Sequence, residues 1–231
     1  MTESTSTPSA HFNDPLAVEA YADKTRRLVP GWSDLQKMTA LLVAERAPEH
    51  AQVLVIGAGG GVELKAFAQS HAQWQFVGVD PSQPMLDLAT EALGPLSARV
   101  QLHHGYIDTA PQGPFDAATC LLTMHFVSAA ERAGTLRGIK NRLKPGAPFV
   151  MAHLSFPQDE DERGLWLSRY VAFAIASGVD PKAAQSAATA IGDRLALLSP
   201  DAEQAVLAEA GFTNAQLFYA GLAFRGWVAY A

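Results

Sequence analysis

The feature that most constrains the fold is a repeated alternation of short apolar runs and helix-forming segments, which begins at residue 51. The apolar runs that we predict as strands are Ala51–Ile56, Trp74–Asp80, Arg99–His104, Phe115–Leu122 and Phe149–Leu154. Helices are predicted to start near Gly61, Ser82 and Ser128, between these runs. Because parallel strands need long crossovers and are buried on both faces, this rhythm predicts an α/β fold with a doubly wound parallel sheet.

The end of the chain departs from this rhythm. Thr213–Tyr219 and Ala223–Tyr230 have the composition of strands and are joined only by Ala220-Gly221-Leu222. A connection this short cannot form a parallel crossover, so the two strands must pair antiparallel. The sequence therefore predicts a Rossmann-like, seven-stranded sheet that is mostly parallel and ends in an antiparallel hairpin.

Two helical regions accompany the predicted sheet. Residues 12–48 are predicted to form a helical cap with a hinge at Val29-Pro30-Gly31-Trp32, and residues 157–198 a helical insertion before the last helix. Each region either covers the sheet or closes over a site as a lid. Residues 1–11 are rich in Ser, Thr and Pro and predict a disordered tail, which leaves 12–231 as a single domain.

Composition limits the partners. The net charge of −6 gives no basic surface for a phosphate backbone, so nucleic acid is an unlikely partner and a small molecule the expected one. The single cysteine, Cys120, cannot form an internal disulfide and fits a reducing compartment. We find neither a signal-peptide pattern nor an apolar run long enough to span a bilayer, so we expect a cytoplasmic protein without membrane contact. A homodimer remains an open alternative.

A glycine-rich turn follows the first predicted strand, in Val53-Leu54-Val55-Ile56-Gly57-Ala58-Gly59-Gly60-Gly61. Glycines allow a tight turn and close approach of a ligand to the backbone, and the following helix offers free N–H groups. The dinucleotide fingerprint requires a small residue at the sixth position from Gly57, where this chain has Val62. NAD is therefore the second choice of cofactor, and a turn that binds nothing is a third reading.

An acidic residue ends the second predicted strand. Asp80 lies 23 positions after Gly57, at a distance where an acid in nucleotide-binding α/β folds holds the hydroxyls of a ribose. Asp80 could alternatively cap the next helix, but Ser82 is available for that task. We therefore predict a nucleoside ligand.

In these motifs, in Phe115-Asp116 and in Leu143-Lys144-Pro145-Gly146, the chain resembles the class I S-adenosylmethionine-dependent methyltransferases. Its helical front, hinge and closing hairpin resemble the carboxy-S-adenosylmethionine synthase subgroup, whose product serves tRNA modification. The resemblance implies an enzyme that uses S-adenosyl-L-methionine. By position it implies cofactor contacts at Trp32, Gly57, Ala58, Gly59, Asp80, Pro81, Met85, Tyr106, Ile107 and Leu121.

Three positions depart from the family pattern. Val55 stands where the family commonly has an acid that indirectly anchors the methionine amino group, and Tyr106 where an Asp usually meets the adenine. Val206 stands where the carboxylating subgroup has an Arg for the extra carboxylate, although Arg194 or Arg225 could approach from elsewhere. We therefore expect ordinary methyl transfer to a small molecule. The alternatives are a carboxy-S-adenosylmethionine synthase-like enzyme and a binding or regulatory protein with weakened cofactor binding.

His125, shortly after the fourth predicted strand, is the candidate general base if the acceptor must lose a proton. A histidine that merely packs at a strand end is an equally good reading. His103, His104 and His153 lack the spacing of a metal motif, so we predict no metal. Trp166, Tyr170 and Phe173 have helical spacing and either line an acceptor pocket or belong to the core.

Overall fold

The computed structural model describes residues 21–231. The predicted tail at residues 1–11 and the first part of the predicted cap lie outside the described residues. The described chain opens with α1, Tyr21–Leu28, and α2, Trp32–Ala44. Gly31, just before α2, has a left-handed φ of 64°, a conformation that costs glycine little and turns the chain between the two helices.

The remaining elements alternate as the sequence predicts. The strands are β1 Gln52–Ile56, β2 Gln75–Asp80, β3 Val100–His104, β4 Ala117–Leu121, β5 Pro148–Leu154, β6 Thr213–Gly221 and β7 Phe224–Tyr230. The helices after α2 are α3 Val62–Ser70, α4 Gln83–Leu93, α5 Ala129–Lys140, α6 Glu160–Ala176, α7 Pro181–Arg194 and α8 Pro200–Glu209. Short 3₁₀ helices cover Gly94–Arg99 and Met124–Phe126.

The strands form one seven-stranded sheet in the order β3-β2-β1-β4-β5-β7-β6. The pairs among β1 to β5 are parallel, whereas β7 runs antiparallel to both β5 and β6. The predicted fold class is thereby confirmed. Chain order reverses direction between β1 and β4, and in doubly wound sheets ligands bind at the carboxyl ends of the strands at such a switch point.

Two predicted boundaries are wrong by a few residues. The hairpin turn is not Ala220-Gly221-Leu222, because Gly221 pairs with Phe224 and leaves a two-residue turn that starts at Leu222. Strand β4 starts later than Phe115, which makes only an isolated bridge to Leu143. The carboxylate of Asp116 instead accepts hydrogen bonds from Gln52 N (2.9 Å) and Lys144 Nζ (2.6 Å) at this amino end of β4.

Helices cover both faces of the sheet. On one face α5 and α8 pack over a core that includes Leu54, Phe149 and Trp227, and on the other α2 and α3 pack over Val53 and Val55. A third apolar cluster lies at the carboxyl ends of β4 and β5, where α2 and α6 meet the sheet. Within residues 21–231, no helix has the length and apolar character to cross a membrane.

Candidate cofactor site

The glycine turn lies directly against the carboxyl ends of β2 and β4. Gly57 and Gly61 have left-handed φ angles of 71° and 74°. A Cβ on Gly57 would overlap the side chain of Thr123, and a Cβ on Gly61 would lie 2.8 Å from Ala89 Cα. The N–H of Gly57 donates to the carbonyl of Val79 at 2.8 Å, which fixes the turn on the end of β2. Both conformation and space therefore require glycine at these two positions.

Asp80 ends β2 and is buried, with 8% of its surface exposed. Its Oδ2 accepts the N–H of Gly59 and its Oδ1 accepts the N–H of Ser82, each at 2.9 Å. Burial raises the pKa of Asp80, and these two donors and the charge of His104 act against that rise. The predicted helix cap is Ser82, whose Oγ accepts Met85 N at 3.3 Å, so Asp80 is not needed for it.

The carboxylate of Asp80 fits a ribose. Each carboxylate oxygen can accept two hydrogen bonds, and each here accepts one from the backbone. Within the described residues, one acceptor position therefore remains on each oxygen, which matches the two vicinal hydroxyls of a ribose. The N–H groups of Gly57 and Gly59 are used within the protein, so the open acceptors of Asp80 are what this edge offers to a nucleoside.

The turn after β4 forms the other wall and was not singled out from the sequence. Leu122 has a left-handed φ of 56°, and its N–H donates to Ala152 O at 2.6 Å. The Thr123 hydroxyl donates to Leu121 O at 3.0 Å, which places this side chain against Gly57. Strained backbone is enriched at functional sites, but Leu and Thr carry no sequence signal for it.

The structure gathers most of the predicted contact residues at this edge. Met85 Cε lies 3.2 Å from where a Cβ of Gly59 would be, and Pro81 O is 3.0 Å from His104 Nε2. Trp32 and Leu121 share the third apolar cluster, and Ala58 is buried in the turn. Their contacts with a cofactor stay predictions.

Tyr106 and Ile107 are joined to this edge through Gly105, whose N–H donates to Asp80 O at 3.0 Å. The Tyr106 side chain is 63% exposed, while Ile107 packs against the core. Asp108, the acid next to them, accepts the N–H of Thr109 at 3.0 Å and so bonds within its own turn.

His125 is buried in the 3₁₀ helix that follows β4, and its role as a base stays a prediction. Burial, followed by the charges of His153 and Arg132, holds the pKa of His125 well below its usual range. The N–H of Leu154 lies 3.4 Å from its Nδ1, which is long for a hydrogen bond. The low pKa keeps the ring neutral at neutral pH.

A buried ionic cluster lies behind His125. Arg132 of α5 pairs with Glu203 of α8, and both side chains are fully buried. Arg132 also donates to Val127 O at 3.0 Å and Ala196 O at 2.8 Å. His153 of β5 places its Nε2 2.9 Å from the same Oε1 of Glu203. No sequence spacing identified this cluster, because its members come from three separate elements.

A further buried acid lies on the opposite face of the sheet. Glu63, in the first turn of α3, is 5% exposed, and its Oε1 accepts a short hydrogen bond from the hydroxyl of Thr119 on β4. Burial raises the pKa of Glu63 to about 8, against the effect of the Thr119 hydrogen bond. The sequence does contain a signal for this residue, because Glu63 is the only acid in α3, the helix that follows the glycine turn.

Comparison with known proteins agrees with this geometry. The model of a family described as "Methyltransferase domain" matches residues 53–146, which includes the glycine turn and Asp80. A carboxy-S-adenosyl-L-methionine synthase of Chromohalobacter salexigens is 27% identical over 226 residues, which cover 96% of this chain and 84% of the relative.

Two solved structures share the fold. One is an O-methyltransferase family protein from Burkholderia thailandensis, with a TM-score of 0.70, 16% identity and cover of 96% of this chain and 61% of that one. The other is human N-acetylserotonin methyltransferase in complex with S-adenosylmethionine. Its TM-score is 0.66 at 17% identity, and the match covers 99% of this chain and 60% of that one. The chain thus spans less than two thirds of both.

The sheet order, the closing hairpin and the glycine turn define a methyltransferase fold. In these features, and over residues 53–146 that the domain model matches, the chain is similar to the class I S-adenosylmethionine-dependent methyltransferases. The methyl donor of this class is S-adenosyl-L-methionine, in agreement with the open acceptors of Asp80.

Proposed function

We propose that this protein transfers the methyl group of S-adenosyl-L-methionine directly to a small-molecule acceptor. The observation that carries the proposal is the pair of open acceptor positions on Asp80 beside the glycine turn. When bound, the cofactor supplies an electrophilic methyl group on a sulfonium. The chain's own task is then to hold donor and acceptor close and aligned, which can supply much of the rate enhancement of such a displacement.

The residues divide this task by position. Asp80 is positioned to bind the ribose, and Gly59 holds its carboxylate in place by donating its N–H to Oδ2. Leu121 and Trp32 offer apolar contacts where β4 meets α2. Methyl transfer needs no obligatory catalytic side chain, so binding and alignment are the main contributions that this arrangement offers.

The acceptor is expected at the third apolar cluster. The buried members Phe156, Tyr170 and Phe224 come from the end of β5, from α6 and from β7, and Trp166 packs against them. α1 also contacts α6, so the cap and the insertion meet over the strand ends and can exclude water. An apolar, partly aromatic lining favours an aromatic or amphipathic metabolite, and the net charge of −6 disfavours a nucleic acid.

His125 remains our candidate base for an acceptor that must lose a proton. Its depressed pKa keeps the ring neutral, but a neutral ring with a low pKa is a weak base. This combination suits an acceptor hydroxyl that is already acidic, such as a phenol, better than an aliphatic alcohol.

Calorimetric titration with S-adenosylmethionine and S-adenosylhomocysteine tests the proposal, followed by a panel of metabolites assayed with methyl-labelled cofactor. We expect binding of both cofactor forms and label transfer to a small aromatic compound. An absence of binding at sub-millimolar ligand would favour the binding or regulatory protein instead. We also expect a cytoplasmic protein, which fits the buried thiol of Cys120; its oligomeric state, with a homodimer as the alternative to a monomer, follows from light scattering.

The second candidate is a carboxy-S-adenosylmethionine synthase-like enzyme, because curated relatives carry that name. Against it, Val206 packs against the core between α8 and the sheet and offers no charge for a carboxylate. The mass of the ligand that co-purifies with the protein separates the two candidates. An unmodified cofactor mass supports methyl transfer, and a mass increased by one carboxyl group supports the second candidate.

A further inference from the structure

Two arginines lie beside one indole ring at the rim of the third apolar cluster. The guanidinium carbon Cζ of Arg169 lies 4.4 Å from the centroid of the Trp166 ring, and Cζ of Arg225 lies 4.8 Å from it. Trp166 and Arg169 belong to α6, and Arg225 is the second residue of β7. Cation–π attraction thus holds both cations on a ring that packs against the proposed acceptor site.

Neither arginine has an acid beside it in the part of the chain that the structure describes. Among residues 21–231, no ion pair joins Arg169 or Arg225 to a carboxylate, and the Arg169 guanidinium has no hydrogen-bond partner. Burial lowers the pKa of Arg225, against the effect of Tyr219. Because two like charges beside one ring repel each other, an anion bound next to them is favoured.

Arg225 retains the donors that a carboxylate needs. Its Nη1 donates to the carbonyl oxygen of Leu222 and, at 2.8 Å, to that of Phe224, which fixes the guanidinium at the hairpin turn. A guanidinium has five N–H donors, so those on Nε and Nη2 remain without a partner within the described residues. These two nitrogens form a planar fork, which is the geometry that binds a carboxylate through two parallel hydrogen bonds.

Register places this fork at the ligand-binding edge of the sheet. Arg225 is the partner of His153, and Phe224 is the partner of Leu154, the last residue of β5. β4 and β5 separate β7 from β1, so at about 4.8 Å per strand β7 lies about 14 Å from the strand that carries the glycine turn. Phe224 is itself buried in the third apolar cluster. The fork therefore lies beside the proposed acceptor site and three strands from the glycine turn.

We infer that the methyl acceptor carries an anionic group, as an aromatic carboxylate does, and that Arg225 and Arg169 bind this group beside Trp166. The inference rests on the proposed function and narrows its acceptor from an aromatic or amphipathic metabolite to an anionic one. The fork of Arg225 donates two hydrogen bonds to the carboxylate, and Arg169 adds a second positive charge. The cofactor's own carboxylate has the same chemistry, so the test separates these two sources.

The test compares probes that differ in the charge of one group. Protein saturated with S-adenosylhomocysteine is titrated calorimetrically with 4-hydroxybenzoate, 4-hydroxyphenylacetate and indole-3-acetate, and with the primary amide of each. We expect at least one carboxylate to bind roughly 10-fold or more tightly than its amide, as for hydrogen bonds between charged groups. Arg225→Met should reduce this preference to no more than about threefold, the contribution that a partly exposed charge such as Arg169 still makes.

Three further variants accompany Arg225→Met. Arg225→Lys keeps the charge but not the fork, and we expect a preference of about threefold. Arg169→Met removes no hydrogen bond of the described chain and should lower the preference about two- to threefold. Arg137→Met is the matched control, because it removes an arginine of α5 that pairs with Glu209 at 3.8 Å, and it should leave the preference unchanged. Circular dichroism verifies folding, and if Arg225→Met does not fold, Arg225→Lys and Arg169→Met decide the question.

The outcomes separate the inference from the proposed function. If no carboxylate binds the wild type more tightly than its amide, or if the preference survives in the Arg225 and Arg169 variants, the inference is wrong while the proposed function stands. If an Arg225 variant binds S-adenosylhomocysteine itself more weakly, Arg225 serves the cofactor and the inference is also wrong. If the wild type does not bind S-adenosylhomocysteine, the proposed function itself is wrong. A preference lost at unchanged affinity for S-adenosylhomocysteine supports both.

Discussion

The buried acids of this protein differ in whether a cation lies beside them. Between α5 and α8, Glu203 is matched by Arg132 and approached by His153, so its charge is balanced inside the protein. Among residues 21–231, Asp80 at the end of β2 accepts hydrogen bonds from backbone N–H groups alone, and Glu63 of α3 accepts one from the Thr119 hydroxyl alone. An acid paired with a cation contributes to the fold, whereas an acid with open acceptor positions and no cation is available to a ligand.

The largest effect is expected when Arg132, the cation that pairs with Glu203, is removed. Arg132→Met leaves Glu203 buried with only the His153 ring beside its carboxylate, and we expect the free energy of unfolding to fall by roughly 3–5 kcal/mol. Urea unfolding followed by circular dichroism measures the change. The affinity of the remaining folded protein for S-adenosylhomocysteine should change less than about threefold, because Arg132 does not face the cofactor edge. A larger loss of affinity would show that the two faces are coupled.

Removing Asp80 should mainly lower the affinity for the cofactor, whereas removing Arg132 should mainly lower the stability of the fold. Asp80→Ala loses two charge-assisted hydrogen bonds to a ribose, so we expect the affinity for S-adenosylhomocysteine to fall roughly 100-fold. The free energy of unfolding should also fall, by roughly 1–3 kcal/mol, because the buried N–H groups of Gly59 and Ser82 lose their acceptor. Calorimetric titration and urea unfolding of the same preparation give both numbers. Unchanged affinity would mean that Asp80 does not bind the ligand.

Sequence patterns predict the fold and Asp80, but they do not predict the partners of the other buried acids. The alternation of strands and helices, the glycine turn and Asp80 were predictable, because they depend on local periodicity and on spacing within one βαβ unit. The Arg132–Glu203 pair joins residues from distant elements, and the Glu63–Thr119 contact depends on the register of β1 with β4. Neither is visible in a linear pattern. The strained Leu122 and the hairpin turn at Leu222 were missed because both use residues that ordinarily disfavour a positive φ.

The titration of Glu63 provides a prediction on stability. The pKa of Glu63 is about 8 in the folded protein and near 4.5 in the unfolded chain, so the folded state binds this proton more tightly. The stability that the bound proton provides is complete below pH 4.5 and is lost as the pH rises towards 8.

Glu63→Gln resembles the protonated form at every pH and should not show this loss. Relative to the wild type, the free energy of unfolding of the ligand-free variant should rise by roughly 2 kcal/mol between pH 6 and pH 8. Melting temperatures of both proteins at the two pH values measure the difference. A constant difference across this range would mean that Glu63 is not protonated in the folded protein.

The smallest effect is expected at Tyr106. Its side chain is 63% exposed at the edge of the site, so Tyr106→Ala should weaken S-adenosylhomocysteine by no more than about fivefold, the loss of one partly exposed stacking contact. The melting temperature should be unchanged. A loss as large as that of Asp80→Ala would show that the aromatic ring closes over the bound cofactor.

The most direct test of the central claim is a crystal structure of the protein grown with S-adenosylhomocysteine. The account predicts a nucleoside across the end of β1, with both ribose hydroxyls bonded to the carboxylate of Asp80 and the backbone of Gly57 and Gly59 beside it. A ligand bound elsewhere, or an edge blocked by the protein's own side chains at saturating ligand, would contradict it.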